Sequence, residues 1–411
     1  MGEYNTWRKL TARDLELFWM GAPQAPFIGL GDAILLQKAL GDVSSQYMPE
    51  YFNVIYGPQA WAQFNTTAVT FGALPKATWP RAGWRVIKSL SAAETDIAIS
   101  QTGSIPDPRR PEIGTVYVQP KVLAESFEVA EALDAMANTA DVWGYVDNVR
   151  SYYAREFAIL VDKQLVRRAI GVDSNTSEDP TATPYVNMLE PIDRIVSDYK
   201  TEGQMNGGTA GNEVGSRVNV YGIDRSTEDW ANAVVLANNG TLRAFTPDLM
   251  TQALNLTRQR GAHSTMWLTG PKTYAALQAF FLNFVRYLPM SETKIEFDID
   301  GVHAGIDAGI ETAAVYGLPV VVDPYMPLEV GTDGNEIPTS LNRIYLLDTS
   351  DAEGYGVPRG NISVLRPVEY FESRDYILLN KFVIKGAYRF IGETTFRYLA
   401  GQAKIRDLQE G

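Results

Sequence analysis

The sequence predicts an α+β protein, because one long amphipathic helix stands between two segments with the pattern of β-strands. Residues 84–98 and 113–129 are rich in β-branched and aromatic side chains, and residues 362–400 continue this character over a longer stretch. Between them, apolar side chains recur at helical spacing over residues 141–170. Residues 190–361 alternate shorter helical and strand-like runs, so the middle of the chain is mixed.

The composition is that of a folded protein with an acidic surface. The 411 residues are 45% hydrophobic and 21% charged, and a chain of this length is expected to form two or more folding regions. Cysteine is absent, which excludes disulfides, thiolate metal sites and cysteine nucleophiles. The 49 acidic residues exceed the 36 basic ones and give a net charge of -13, which argues against a dedicated nucleic-acid-binding face.

Residues 1–83 predict an irregular, aromatic-rich arm with short helical pieces. A segment that is broken so often cannot easily form its own core, so we expect it to lie on other surfaces. The prolines that interrupt it are Pro23, Pro26, Pro49, Pro58, Pro75 and Pro80.

Residues 84–124 predict a long two-stranded loop. Its strands are expected at 84–98 and from Ile113 onward, and the tip between them is rich in glycine and proline. Three of the residues from Pro106 to Pro111 are prolines, which remove backbone donors and stiffen the tip.

The helix predicted over 141–170 is the clearest element. Asp141 is a favourable N-cap and Gly171 ends the pattern, so about 30 residues would form a rod of roughly 45 Å. Its apolar stripe should pack on a core while a charged face lies opposite. The residues assigned to the charged face are Arg150, Arg155, Asp162, Lys163, Arg167 and Arg168.

Further along the chain, Pro191 is expected to open a short helix, and Pro247 a longer one that runs to Gly261 with Thr246 as its cap. Buried strands are predicted at 266–268 and 317–322 and over residues 343–347. No internal repeat at a fixed period is visible.

The order of these parts resembles the major capsid proteins of tailed viruses, bacteriophage or archaeal, of the Hong Kong 97 (HK-97) type. The residues that carry the resemblance are the strand Pro120–Val129, followed by the helix with Ala154–Ala158 and Asp162. In that family such a strand descends from an extended loop into a helix called the spine. The local likeness lies mainly in residues 84–171.

The resemblance implies an HK-97-like capsid fold. Residues 1–83 would be the N-terminal arm, 84–124 the extended β-hairpin loop and 125–189 the peripheral domain with the spine helix. Residues 190–361 would be the axial domain, and 362–411 a closing β segment of the peripheral domain.

The function implied is structural. Copies of the chain would assemble as pentamers and hexamers into an icosahedral head that encloses double-stranded DNA without sequence-specific binding. Portal, scaffolding and decoration proteins would be its partners; no cofactor, metal or membrane is expected. The chain would be made in the host cytoplasm, as a signal-peptide pattern and a long apolar run are both lacking, and would reside in the virion.

Six polar residues near the loop are candidates for contacts between subunits, since charged groups at a projecting tip can reach a neighbour. The alternative for each is a solvated surface turn. The candidates are Ser104, Asp107, Arg109, Arg110, Glu112 and Lys121.

Enzymatic chemistry finds little support in the sequence. His263 and His303 lie in different predicted elements, and no nucleophile elbow, zinc-binding pair or phosphate-binding loop is present. Asp298, Asp300 and Asp307 miss the calcium-loop spacing and favour a hydrogen-bonded turn. Two alternatives stay open: an encapsulin-like nanocompartment shell protein, and an α+β hydrolase that works with carboxylates.

Overall fold

The computed structural model describes a set of segments that starts at residue 68, so the predicted arm up to residue 67, most of the loop tip and both predicted ends of the long helix lie outside it. The described residues are 68–79, 81, 83–88, 101, 103, 110–131, 134, 146–168, 185–202, 220–281, 295–299, 302–306, 314–329, 336–375 and 381–410.

Five helices and sixteen strands lie in these segments. The helices are α1 (Thr70–Ala73), α2 (Val146–Val166), α3 (Ile192–Ile195), α4 (Pro247–Gln259) and α5 (Pro271–Phe281). The strands are β1 (Lys76–Thr78), β2 (Gly83–Ile87), β3 (Ile113–Tyr117), β4 (Lys121–Ala130), β5 (Val234–Leu236), β6 (Arg243–Ala244), β7 (Met266–Thr269), β8 (Ile295–Ile299), β9 (Val302–Ile306), β10 (Ala314–Val315), β11 (Leu318–Val322), β12 (Ile344–Leu347), β13 (Gly360–Ser373), β14 (Val383–Phe396), β15 (Ala403–Ile405) and β16 (Leu408–Gln409).

A four-stranded sheet of order β1-β13-β14-β4 packs against α2. Strands β13 and β14 form a long antiparallel hairpin, β4 pairs antiparallel with β14, and β1 adds to β13 in parallel. Side chains alternate between the two faces of a strand, so Phe127 of β4 and Tyr388 of β14 point inward. The Phe127 ring stacks on Tyr153 of α2 at 4.9 Å, and Tyr388 Oη donates to the Arg150 carbonyl at 2.7 Å. The helix therefore covers one face of this sheet.

A mixed six-stranded sheet of order β10-β11-β7-β12-β15-β5 forms the second core. Its centre is Trp267 on β7, fully buried beside Leu254 of α4 and Leu346 of β12. Strands β8 and β9 form a separate hairpin, and β16 pairs with β6. The predicted closing segment 362–411 is thus divided, because its last strands leave the four-stranded sheet and β15 inserts between β12 and β5.

The long helix is shorter than its pattern predicts within the described residues. Helix α2 ends at Val166, and the next two residues are not helical although the apolar spacing continues to 170. Two residues predicted on the charged face, Asp162 and Arg167, are buried. Pro120 also splits the predicted strand 113–129 into β3 and β4, since proline has no backbone donor. The predictions for α4, β7, β11 and β12 are confirmed to within a few residues.

A buried ionic network attaches α3 and the segment after it to the second sheet. Asp193 Oδ1 lies 2.6 Å from Arg343 Nη1 and 3.0 Å from Lys404 Nζ. Glu202 Oε1 accepts from the same lysine at 2.7 Å and from Arg406 Nη1 at 2.9 Å. Each buried charge has an opposite charge in contact, which is the condition for keeping ions away from water.

A second polar contact anchors α1 and the residue before it. Asp162 of α2 accepts hydrogen bonds from the backbone N–H of Val69 at 3.0 Å and of Phe71 at 2.6 Å. The Thr70 hydroxyl donates to Asp323, which follows β11. Three successive residues, Val69 to Phe71, are therefore held by two buried carboxyl groups from different elements.

Candidate assembly surface

The β2–β3 hairpin has two faces of unequal burial. Trp84 and Val116 pair across the strands and turn toward the body, where Trp84 meets the Tyr221 ring edge-on at 5.6 Å. The opposite face carries the directly paired Ile87 and Ile113, which are 65% and 55% exposed. Tyr117 on the same face is also more than half exposed. The hairpin is thus anchored by one apolar face and presents another to solvent.

An ionic contact holds the far end of this hairpin to the body. Lys88 Nζ lies 2.5 Å from Glu228 Oε1 and 3.2 Å from Glu112 Oε1. The hydrogen bonds to Glu228 and then to Glu112 raise the pKa of Lys88, and the bond from Lys88 lowers the pKa of Glu228. Because these groups are at the surface, the contact sets the direction of the hairpin more than it adds stability.

The six residues predicted to contact a neighbour are only partly described. Ser104, Asp107 and Arg109 lie outside the described residues, whereas Arg110 and Glu112 are exposed at the end of the hairpin. Glu112 contacts Lys88 within its own chain. The remaining candidate, Lys121, lies at the hairpin base and donates to the Val186 carbonyl at 2.6 Å. Their role between subunits stays a prediction.

The sequence prediction missed the apolar outer face of the hairpin. It selected polar residues at the tip, whereas Ile87, Ile113 and Tyr117 form the exposed apolar surface. Their alternation with Val86 and Val116 was a usable signal, because a strand that is apolar on both faces is either buried or prepared for a partner.

A second exposed apolar group lies on the four-stranded sheet, on the side away from α2. Val122 of β4 and Phe371 of β13 are exposed there, and Phe382 precedes β14 with 76% of its surface in solvent. Arg389 stacks over the Phe371 ring at 4.6 Å and pairs with Glu369 at 2.5 Å. This face combines apolar patches with charges, as interfaces between protein chains do.

The residues considered for chemistry are dispersed. His263 is exposed and its backbone N–H donates to Asp348, while His303 lies on β9 opposite Asp298. Asp300 and Asp307 lie outside the described residues. In the described segments, no group of three or more histidine, cysteine or acidic residues is placed to hold a metal ion. No described helix has the length and apolar character needed to cross a membrane.

Comparison with known proteins gives matches among solved structures alone. No protein-family model and no curated protein sequence matches the chain. It is similar to the capsid asymmetric unit of cyanophage A-1(L), with 13% identity over 85% of this chain and 95% of that chain and a TM-score of 0.56. Lower-scoring matches include the capsid of a native GTA particle, with 12% identity over 88% of this chain and 97% of that chain and a TM-score of 0.43. Another is the holo-SrpI encapsulin complex from Synechococcus elongatus PCC 7942, with 11% identity over 85% and 93% and a TM-score of 0.41.

The likeness to the cyanophage capsid extends over the two sheets, the long helix and the hairpin, so this chain shares the fold of that capsid protein. More particularly, the chain has the HK-97-type capsid fold, as the resemblance in its sequence predicted.

Proposed function

We propose that this chain is the major capsid protein of a tailed virus, and that its copies assemble as pentamers and hexamers into an icosahedral head around double-stranded DNA. The observation that carries the proposal is the β2–β3 hairpin, whose outer face leaves Ile87, Ile113 and Tyr117 exposed in a chain with a capsid fold. Apolar surface of this kind is stabilised when a second copy covers it.

The energetics favour a role in assembly. Full burial of one such side chain contributes roughly 1.5–3 kcal/mol, and a closed shell repeats the contact at every subunit. The inner face anchors the hairpin on the body and keeps the outer face exposed, so little ordering entropy is lost when the outer face meets a neighbour. The net charge of -13 is consistent with a shell wall that encloses DNA without binding it tightly.

The same proposal places this chain in the virion and gives it portal, scaffolding and decoration proteins as partners, with no catalytic step of its own. These partners are proposed from the capsid fold and not from a contact described above.

The test is to image the purified full-length protein under assembly conditions by electron microscopy. We expect closed shells in which capsomers of five and six copies are resolved. A protein that remains monomeric at high concentration would refute the shell function. Shells that instead enclose a co-purifying enzyme would overturn the viral part of the proposal and favour a nanocompartment.

A further inference from the structure

The inner face of the β2–β3 hairpin changes from apolar to ionic toward its far end. Trp84 and Val86 pack against the core, and Lys88, two residues further along, continues the same face. The lysine side chain lies over Gly114 of β3, where an added Cβ would stand only 3.0 Å from Lys88 Cε. The absence of a side chain at Gly114 therefore lets Lys88 cross the partner strand and reach Glu228 on the body.

The contact between Lys88 and Glu228 is the polar attachment of the far end of the hairpin, which comprises residues 86–88 and 110–113. Among these described residues, no other ion pair or hydrogen bond reaches the body. The two side chains keep 22% and 29% of their surface in solvent, so dissolved salt can screen the contact. The direction of the far end thus depends on one accessible ion pair.

Glu228 is a fixed point on the body. Its Oε2 accepts from the indole N–H of Trp230 at 2.5 Å, and the Trp230 ring packs against the core. The backbone N–H of Glu228 donates to the Asp224 carbonyl at 3.0 Å, and the Glu228 carbonyl accepts from the backbone N–H of Ala231. Since none of these bonds involves the hairpin, they hold the carboxylate in place whether or not Lys88 is in contact.

Each member of the ion pair keeps another partner when the contact opens. Lys88 Nζ lies 3.2 Å from Glu112 Oε1 within the hairpin, and the backbone N–H of Lys88 donates to the Glu112 carbonyl at 3.0 Å. Glu228 keeps the hydrogen bond from Trp230. Opening therefore leaves neither charge without a partner, unlike the loss of a buried counter-charge. The free-energy difference between the closed and open states is small for this reason.

We propose that Lys88 and Glu228 form a reversible clasp, and that the far end of the hairpin exchanges between a closed position on the body and a lifted position. In the lifted position Lys88 pairs with Glu112 alone. The exposed pair Ile87 and Ile113 is adjacent to Lys88, so lifting redirects this apolar surface. Only this last consequence, a change in the surface offered to a second copy, rests on the proposed function.

Distances between two spin labels measure both positions in the unassembled full-length chain. Because the chain has no cysteine, the labels can be placed at Arg110→Cys on the hairpin and Asn255→Cys on α4, two exposed positions. We expect two populations of distances. Glu228→Gln keeps an acceptor for Trp230 but removes the charge, so the ratio of lifted to closed chains should rise about two- to fivefold. An unchanged ratio would overturn the inference.

The matched control is Asp229→Asn, which removes the same charge from the neighbouring residue. It breaks only the surface pair with Lys200, in which both side chains are more than 70% exposed, so the ratio should stay at the wild-type value. Thermal melting checks that both variants fold. A control that shifts the ratio as much as Glu228→Gln would show that net charge, and not the clasp, sets the position of the hairpin.

Glu112→Gln gives the sharpest test, because the clasp predicts an effect of the opposite sign. Without the competing carboxylate, Lys88 has Glu228 as its remaining partner, so the ratio of lifted to closed chains should fall about twofold or more. A contact that merely stabilises the hairpin would respond in the same direction to both substitutions. A ratio that rises in Glu112→Gln as it does in Glu228→Gln would contradict the clasp.

Salt provides a further measurement on the wild-type hairpin. Raising the salt concentration from about 0.1 to 1 M shortens the Debye length from about 10 to 3 Å, so the lifted population should grow in wild type and change much less in Glu228→Gln. A single distance at every salt concentration would refute the clasp and leave the shell function untouched. Wild-type protein that forms no shells would refute the shell function and leave the clasp in place.

Discussion

Glu393 is an acid that the fold holds in its protonated form. Its pKa is about 8 in the folded chain against an ordinary value of 4.5, because burial and then the nearby Glu190 charge disfavour ionisation. The folded state therefore keeps a proton that the unfolded state releases above pH 4.5. This contribution to stability is present at low pH and decreases as the pH rises toward 8.

Replacing Glu393 with glutamine should remove this pH dependence. Glu393→Gln keeps an oxygen acceptor for the backbone N–H groups of Glu190 and Thr394 but cannot ionise. We expect the wild-type unassembled subunit to lose on the order of a few kcal/mol of unfolding free energy between pH 5 and pH 8 through this group, and the variant to lose less. Urea unfolding at both pH values measures the difference. Parallel pH profiles for the two proteins would contradict the assignment.

Asp162 and Asp323 form a buried carboxyl pair that holds residues 69–71. The pKa of Asp162 is raised well above its ordinary value, by burial first and then by the Asp323 charge, and the pKa of Asp323 is also raised by burial. Lys76 and Tyr325 are the other titratable groups that interact with the pair. The two carboxyl groups also form a hydrogen bond with each other, which a proton on either group allows.

The hydrogen bonds to Asp162 predict an ordered mutation series. Asp162→Ala leaves the N–H groups of Val69 and Phe71 buried without their acceptor, at about 1–3 kcal/mol for each. Asp162→Asn keeps one oxygen acceptor for these N–H groups, so we expect it to lose clearly less. Unfolding free energies of both variants at neutral pH provide the measurement. Equal losses would show that these bonds contribute little.

At the scale of elements, the ionic network decides how α3 and the residues after it join the second sheet. Helix α3 has only four residues, and isolated helices of this length do not form. Asp193 within it contacts Arg343, which precedes β12, and Lys404, which lies on β15. Burial opposes ionisation of Glu329, but Arg343 lowers the pKa of Glu329 to about 2. Tertiary ion pairs therefore hold this short helix in place.

Removal of one member of the ionic network should lower the free energy of unfolding. Asp193→Ala leaves Arg343 and Lys404 without their shared counter-charge in a fully buried site, so we expect a loss of about 3–5 kcal/mol of unfolding free energy. The control is Asp229→Ala, which breaks a surface pair with Lys200 and should change stability by about 1 kcal/mol or less. Chemical denaturation of both variants measures these losses of unfolding free energy. A similar, small effect at both positions would mean that water enters the network.

At the scale of the whole molecule, the two faces of the hairpin differ in what they contribute to the fold of the single chain. The outer pair Ile87 and Ile113 is exposed in the single chain, whereas Val116 is only 4% exposed and belongs to the core. Substitutions on the outer face should therefore affect contacts between copies, and those on the inner face should affect the subunit itself.

The double variant Ile87→Ser with Ile113→Ser tests this separation. We expect subunit stability to stay within about 0.5 kcal/mol of wild type at each exposed site, while shell assembly is lost or requires much more protein. Val116→Ser is the control on the inner face and should lower the melting temperature of the unassembled subunit. Sedimentation and electron microscopy measure assembly. Normal shells from the double variant would show that the outer face of the hairpin is not part of the interface between copies.

The sequence by itself determined the α+β class, the order of elements and the boundaries of α4, β7, β11 and β12 to within a few residues, because periodicity and caps are local properties. Tertiary structure alone decided that β15 joins the second sheet and that Asp162 meets Asp323, which is 161 positions away. It also brought Lys121 beside Glu393 in one cavity. The physical reason is that a side-chain pattern specifies which face of an element is buried, whereas the partner that buries it depends on the packing of the whole chain.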